Sequence, residues 1–344
     1  MKAIHLTNVD IGLRKKIELK FNLNRKNLIT PKNYKRFFSD AIGNKANNFM
    51  FLERNADRIG YKTPEHSFAI PFQWYEEHLH KINFYSILEK LEAETNKSNQ
   101  IVWLDSIRNL IKTTKISESH LAQIDSLIQT QNVYKRFRFR SSTNAEDAKG
   151  FSGAGLYDSK TGILGDSIKS IENAIRKVWA SAWTAKAFFE REYFNIKQSD
   201  VKMGILAHRS FPNEELNGVA ITKNLYREDY YGFVLNCQKG DVSVVDQNDS
   251  LTAEQMIIYP KDLISQNGNQ STYDVITYSS LSQGKLLLTD AEIEKLAKIL
   301  KQIQSQYQFG HSNFSSSFLG PSLDLEFKID KSTRELYIKQ IRPY

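Results

Sequence analysis

Cysteine is almost missing from this chain: Cys237 is the single one among 344 residues. One thiol cannot build an internal disulfide framework, and such scarcity fits a reducing compartment. Long apolar runs are missing too. The N-terminus, MKAIHLTNVDIGLRKK, has no continuous apolar segment of the kind a secretory leader needs, and no stretch reaches the length of a membrane span. A soluble, cytoplasmic protein is the expectation. Zinc-finger spacing, an RRM signature and a basic tail are all lacking, although the formal net charge is +8. The 47 Lys and Arg are spread along the chain among 39 Asp and Glu, as a coding bias toward Lys, Asn and Ile would also produce. Nucleic-acid binding is therefore a secondary reading. No internal repeat or low-complexity domain is visible. What is present suffices for a substantial core: 40% of residues are hydrophobic and 25% charged, in a length that holds one large domain or two to three small ones.

The most informative stretch is Tyr134 to Ser159, YKRFRFRSSTNAEDAKGFSGAGLYDS. Phe137 and Phe139 alternate with Arg136, Arg138 and Arg140, the period of a half-buried strand with guanidinium groups along its open side. Ser141-Ser142-Thr143-Asn144 then reads as a turn, followed by Glu146, Asp147 and the glycine-rich segment Gly150 to Gly155. A row of Arg beside small residues suits a polyanion such as phosphate, through bidentate forks and closely approaching backbone N–H groups. On spacing alone, a strand of solvated Arg followed by an ordinary loop reads equally well.

RSSTNAED (140–147) followed by FSGAGLYDS (151–159) resembles the signature of the PEP/pyruvate-binding domain. This is the ATP-grasp, nucleotide-binding part of phosphoenolpyruvate synthase, pyruvate phosphate dikinase and rifampicin phosphotransferase. Two further segments, in the family's order, are similar to its other motifs. Near the start, FSDAIGNKANNFMFL places Gly43, Asn44 and Lys45 where the family has glycines before a lysine that opens a helix. A mobile ammonium beside exposed helix-start N–H groups suits a triphosphate. It is not a P-loop, since G-x-x-x-x-G-K-[ST] is absent. At the end, LDLEFK (323–328) and LYIKQIRP (336–343) resemble the family's D-x-E and Q-x-R-P strands, expected to pair as a hairpin. Alternation puts Asp324 and Glu326 on one face, and Gln340 and Arg342 likewise on one face. Two carboxylates one strand repeat apart are a natural Mg²⁺ pair, because hard cations prefer oxygen donors and share them with phosphates. Without the resemblance, the same hairpin reads as an amphipathic edge with a surface Asp/Glu–Arg pair.

Between these motifs the chain departs from the family in places. His66 stands where the family's P-P-G-F-x-I strand has glycine. Gln238-Lys239-Gly240-Asp241 stands where dikinases carry G-L-G-E, so the acidic position is kept as Asp241 but the first glycine is lost. Three helices are expected over 73–91, 100–113 and 118–129, and one long amphipathic helix over 166–193, with Ile168, Ile171, Ile175, Val178, Trp179 and Trp183 in the core. A strand over 17–21 and a helix capped by Thr289 complete the pattern, with 260–285 an exposed connector.

The resemblance implies an α+β, ATP-grasp fold of two lobes with nucleotide bound between their sheets. The expected limits are an N-terminal extension over 1–37, a first lobe over 38–200 and a second over 201–344. Strands at 201–211 and 218–224 would pair in the second lobe, with backbone groups near Leu206 to Arg209 at the adenine edge. Mg²⁺ and ATP are the implied cofactors and phosphoryl transfer the implied activity. Lys45, Arg140 and Arg342 are the catalytic candidates. Ser141, Gly153, Gly155, Glu326 and Gln340 join them in holding the nucleotide. Asp324, Glu326 and Asp241 are the metal candidates. None of the seven histidines sits in anything like the family's histidine loop. A lone His208 in a strand reads as a packed residue. Transfer is thus expected to need a separate phosphohistidine acceptor protein or an unknown acceptor. The competing class is a nucleotide-binding regulatory module without turnover.

Overall fold

The computed structural model describes residues 16–34, 38–130, 133–146, 150–151, 153, 155–211, 214–227, 229–242, 244, 251–261, 272–307 and 321–344. The chain divides into two compact units, one of Met1–Asn47 with Glu65–Ser210, the other of Asn48–Pro64 with Phe211–Tyr344. The expected boundary at 200 therefore falls ten residues early, and 48–64 belong with the second unit.

The first unit begins with a one-turn helix α1 (Ser39–Ile42) and the start of α2 (Asn44–Ile59), whose remainder belongs to the second unit. Its sheet has four strands: β1 (Phe68–Ile70), β2 (Arg136–Thr143), β3 (Ser159–Ile163) and β4 (Met203–Arg209), in the order β1-β4-β2-β3. All of these pairings are antiparallel. Helices α3 (Phe72–Lys81), α4 (Phe84–Ala93), α5 (Lys97–Thr113), α6 (Glu118–Gln129), α7 (Ile171–Ala180) and α8 (Ala185–Tyr193) complete it. Phe137 and Phe139 of β2 bury into a core shared with Trp74, Trp179, Trp183 and Ile205, as the alternation in 136–140 requires.

Two expected helices are each broken. Asn83 takes a left-handed conformation (φ 52°) between α3 and α4, which Asn tolerates better than most residues. The Trp-rich helix ends at Ala180, a 3-10 turn over Ser181–Trp183 follows, and Thr184 caps the next helix, its side chain accepting the Ala187 N–H. Ile168 lies before α7 and is exposed, while the other five residues expected in that stripe are buried. Ile17 makes a single β-bridge to Ile196 in place of a strand. His66, in the position of the missing glycine, adopts a left-handed φ of 55°.

The strand over 203–209 corrects the expected pairing most sharply. It is buried along its whole length and joins β1 on one side and β2 on the other, within the first unit. Ile205, Leu206 and Ala207 are thus paired on both edges, and their backbone groups are not open to an adenine. His208 is buried and its Nδ1 lies 2.7 Å from the Arg209 carbonyl, consistent with a packed residue.

The second unit is a six-stranded antiparallel sheet of β5 (Glu214–Ile221), β6 (Phe233–Lys239), β7 (Glu254–Tyr259), β8 (Thr272–Thr277), β9 (Leu323–Asp330) and β10 (Leu336–Pro343). Its order is β10-β9-β5-β6-β7-β8. The strand β8 falls where an exposed connector was expected; 262–271 of that connector lie outside the described residues. Helix α9 (Asp290–Gln306) starts on a capping box in which Thr289 and Glu292 satisfy each other's backbone N–H. Its Leu296, Ile299, Leu300 and Ile303 share a core with Leu323, Leu325 and Phe327 of β9. One face of β9 is therefore buried, and Asp324, Glu326 and Lys328 alternate onto the other.

Candidate functional site

The candidate residues fall into two groups, one in each unit. In the first unit the group is built where α2 starts against the end of β2. Gly43 joins α1 to α2 with φ 81° and ψ 162°, a conformation open essentially to glycine alone. A Cβ there would lie 2.5 Å from Ser142 Oγ and closer still to its carbonyl oxygen. That close approach lets Ser142 Oγ accept the Ala46 N–H at 2.9 Å, so a side chain 96 residues away caps the helix. No acidic residue lies in the first turn of α2. The positive end of its dipole is therefore not neutralised by a carboxylate of its own turn.

Arg140 and Ser142 are one strand repeat apart, so Arg140 and the start of α2 share a face of the sheet. Arg138 lies on that face as well, donating to Thr161 Oγ1 at 3.3 Å. Burial, and secondarily the neighbouring Arg140, pushes its pKa below the ordinary guanidinium value. Ser141 alternates to the opposite face with Phe137 and Phe139, and its Oγ is buried with no hydrogen-bond partner among the described residues. Ser142 is the hydroxyl that meets the helix, and residue-by-residue matching did not single it out.

Lys45 reaches Glu146 Oε1 at 2.6 Å, with side chains only 12% and 8% exposed. The Glu146 backbone is fixed by its neighbours. Thr143 Oγ1 accepts its N–H at 2.8 Å, and its carbonyl accepts the Gly153 N–H at 2.9 Å. A Cβ on Gly153 would sit 2.9 Å from Glu146 Cα, so glycine is what lets this loop close onto Glu146. Gly155 holds φ 72° on the same loop, and a Cβ there would meet nothing within 4 Å. Asp147, Ser152 and Ala154 lie outside the described residues.

In the second unit β9 and β10 form the expected hairpin, with Arg342 opposite Asp324 and Gln340 opposite Glu326. A bulge between Ile338 and Gln340 decides this register. It lets Ile338 and Ile341 both enter the core while Gln340 and Arg342 share a face with the carboxylates. Arg342 holds Asp324 Oδ2 through Nε at 2.7 Å and Nη2 at 2.6 Å. Lys339, from the bulge, reaches Glu326 Oε2 at 3.1 Å. Burial lifts the pKa of Asp324 above the ordinary carboxyl value, Arg342 pulls it back, and Glu326 adds to the rise.

Asn236 on β6 pairs with Val219, which pairs with Glu326, so all three share the face away from α9. Asn236 Oδ1 is buried with no hydrogen-bond partner among the described residues. Two hard carboxylates on one face of β9 fit a Mg²⁺–nucleotide complex, which needs one or two protein carboxylates and keeps water and phosphate for the rest. No group of three or more His, Cys, Asp or Glu suited to a metal occurs among the described residues.

Asp241 does not join the pair. It is exposed in the turn after β6, where Gly240 N donates to Glu215 O at 2.8 Å and Asn217 Nδ2 reaches the carbonyls of Gly240 and Val242. Asp324 lies opposite Ile221, six residues further along β5, or about 20 Å at the rise of an extended strand. The strand β6 stays paired as far as Lys239, so the acidic position emerges at the far end of the sheet.

Residues 39–344 match the pyruvate phosphate dikinase, AMP/ATP-binding domain, family. The chain belongs to that family. It is 26% identical over 281 residues to phosphoenolpyruvate synthase from Pyrococcus furiosus, covering 75% of this chain and 32% of the relative. It is 25% identical over 256 residues to rifampicin phosphotransferase from Bacillus subtilis, covering 69% of this chain and 26% of that protein. The chain thus spans about a third or less of the length of these relatives. N5-carboxyaminoimidazole synthetase from Staphylococcus aureus, complexed with ADP, aligns at 15% identity over 71% of this chain and 42% of its own. Its TM-score is 0.23. The helix bearing Lys45 and the β9–β10 hairpin both lie within the matched residues. No described helix is long and apolar enough to cross a membrane.

Proposed function

We propose that the chain is the ATP-grasp unit of a phosphotransferase, which binds Mg-ATP and activates a phosphoryl group for transfer to a phosphohistidine acceptor carried elsewhere. The observation that carries this reading is the cationic face of the first unit. There Arg140 and the start of α2 share one side of the sheet with Lys45 close by. A helix N-terminus beside a guanidinium is a ready anion site, and phosphate oxygens take bidentate contacts from Arg.

Phosphoryl transfer asks little covalent chemistry of a protein and much positioning and charge neutralisation. Arg140 and Lys45 would hold phosphate oxygens and offset the charge that develops on them. In the second unit, Asp324 and Glu326 would hold Mg²⁺, which supplies positive charge to a nucleotide when bound. Arg342, now on Asp324 Oδ2, would orient that carboxylate or share its donors with phosphate, and Gln340 would support the opposite carboxylate. Asp241 has no part in this scheme.

Calorimetric titration of Mg-ATP into wild type and Arg140→Ala tests the reading. Binding by the wild type that is lost in the variant supports it. A wild type that binds no nucleotide sinks it. Steady turnover or phosphate transfer separates an enzyme from a regulatory module, which would bind tightly and release nothing.

A further inference from the structure

Glu146 presents a difficulty for a phosphate site. It sets a negative charge against the very lysine that the nucleotide reading assigns to a negatively charged ligand. Burial makes this more pointed, because Glu146 as a residue is only 7% exposed and its pairing with Lys45 is correspondingly little screened. An ammonium has three donors, yet among the described residues Glu146 Oε1 is the one hydrogen-bond partner of Lys45 Nζ. The second carboxylate oxygen, Oε2, is buried with no hydrogen-bond partner among the described residues. The carboxylate is thus half satisfied. A purely structural ion pair buried this deeply would be expected to satisfy its remaining lone pairs.

The backbone of Glu146 is the better satisfied part. Thr143 Oγ1 and Gly153 N hold it on either side, linking the end of β2 to the glycine-rich loop. The side chain therefore starts from a fixed point, while Lys45 rides on a flexible four-carbon stem at the start of α2.

From this geometry we infer that Glu146 is a positioning residue that parks Lys45 and competes with ligand phosphate for its ammonium. The inference rests on the reading of the first unit as an ATP phosphate site. Lys45 is held on Glu146 and its charge is compensated there. A triphosphate must draw the ammonium at least partly off Oε1. The carboxylate thereby lowers the affinity for any anion too weakly charged to win the contest, and it selects for polyphosphate over single phosphate.

This makes a prediction of unusual sign. Removing a buried carboxylate that is structural, or that holds the metal, weakens nucleotide binding. Removing one that competes for Lys45 strengthens it. If Lys45 is engaged by Glu146 for all but about a tenth of the time, the apparent affinity of wild type is reduced about tenfold. Glu146→Gln keeps the shape, the Thr143 and Gly153 backbone contacts and the fold-determining glycine, and should bind Mg-ATP about tenfold more tightly by calorimetry. Inorganic phosphate, undetectable or weak with wild type, should gain at least as much.

The gain must pass through the lysine. In a Lys45→Met background, adding Glu146→Gln should leave the Mg-ATP affinity unchanged. An equal gain there would overturn the inference, since the carboxylate would then act on phosphate by its own charge. Unchanged or weaker binding by Glu146→Gln beside a wild type that binds would also overturn it, leaving the phosphate site itself intact. If wild type binds no Mg-ATP, the underlying reading and the inference fall together. Should Glu146→Gln not fold, Glu146→Asp retracts the carboxylate by one methylene and should tighten binding by a smaller factor; no change would count against the inference.

Discussion

Replacing Gly43 by alanine would attack the one junction on which the first group depends. At φ 81° and ψ 162° the backbone lies in a region that L-residues avoid, which costs about 1–3 kcal/mol. The new Cβ would also lie 2.5 Å from both the carbonyl carbon and Oγ of Ser142. Both atoms belong to Ser142, which β2 holds opposite Gly204 of the buried strand β4, so it is α1 and the start of α2 that must move. Overpacking of this kind costs about 1–3 kcal/mol. Moving the helix also breaks the Ala46 N–H to Ser142 Oγ bond, whose loss leaves a buried donor unpaired at about 1–3 kcal/mol. The contributions share one displacement and do not add in full, so the expected total is about 3 kcal/mol, the sum of their lower limits. For a unit of 150–250 residues that corresponds to a fall of about 6–12 °C in Tm. Differential scanning calorimetry of wild type and Gly43→Ala measures it, with Gly60→Ala as a control: Gly60 has φ 92° but meets nothing within 4 Å of a Cβ. The control should pay the conformational cost alone. Equal losses in the two variants would refute the claim that the approach to Ser142 matters, and a wild-type Tm in Gly43→Ala would refute the whole argument.

Arg140→Ala should weaken Mg-ATP about 10–100-fold, the worth of charge-assisted hydrogen bonds, in a calorimetric titration. Asp324→Asn should abolish the dependence of ATP binding on Mg²⁺, while Asp241→Asn should leave it as in wild type; magnesium titrations at fixed ATP compare the three proteins. Glu254 is fully buried, touched by Cys237 Sγ at 3.3 Å and the Leu287 N–H at 2.9 Å. Burial outweighs both bonds and raises its pKa above the ordinary 4.5. Stability from a group with a raised folded-state pKa is full below the unfolded value and is lost as pH rises through the folded value. Glu254→Gln should therefore gain Tm relative to wild type as the pH is raised above 4.5, and a difference that stays constant with pH would remove Glu254 as the cause.

Local chemistry made much of this protein legible in one dimension. The alternation of Phe and Arg over 136–140 dictates a half-buried strand, and Thr289 with Glu292 dictates a helix start, because each signal lies within a few residues of its effect. Leu323 to Lys328 likewise announced a strand with its carboxylates on one side. The helix that Lys45 opens was legible for the same reason.

Other features depended on partners far away in the chain. The strand 203–209 is apolar enough to be central in either sheet, and only its register with Phe68–Ile70 and 137–143 assigns it to the first. Whether Ser141 or Ser142 meets the helix depends on which face of β2 the core takes, which Phe137 and Phe139 settle through contacts with helices of the same unit. The bulge before Gln340 is invisible in composition, yet it reverses the phase of the last strand and sets Arg342 against Asp324. Asp241 looked acidic in the right order along the chain, but the length of paired β6 carries it to the far end of the sheet. Glu146 stood in plain sight beside the arginine strand. Its meaning came from Lys45, 101 residues away, because an ion pair is a fact about distance in space and a sequence records only distance along the chain.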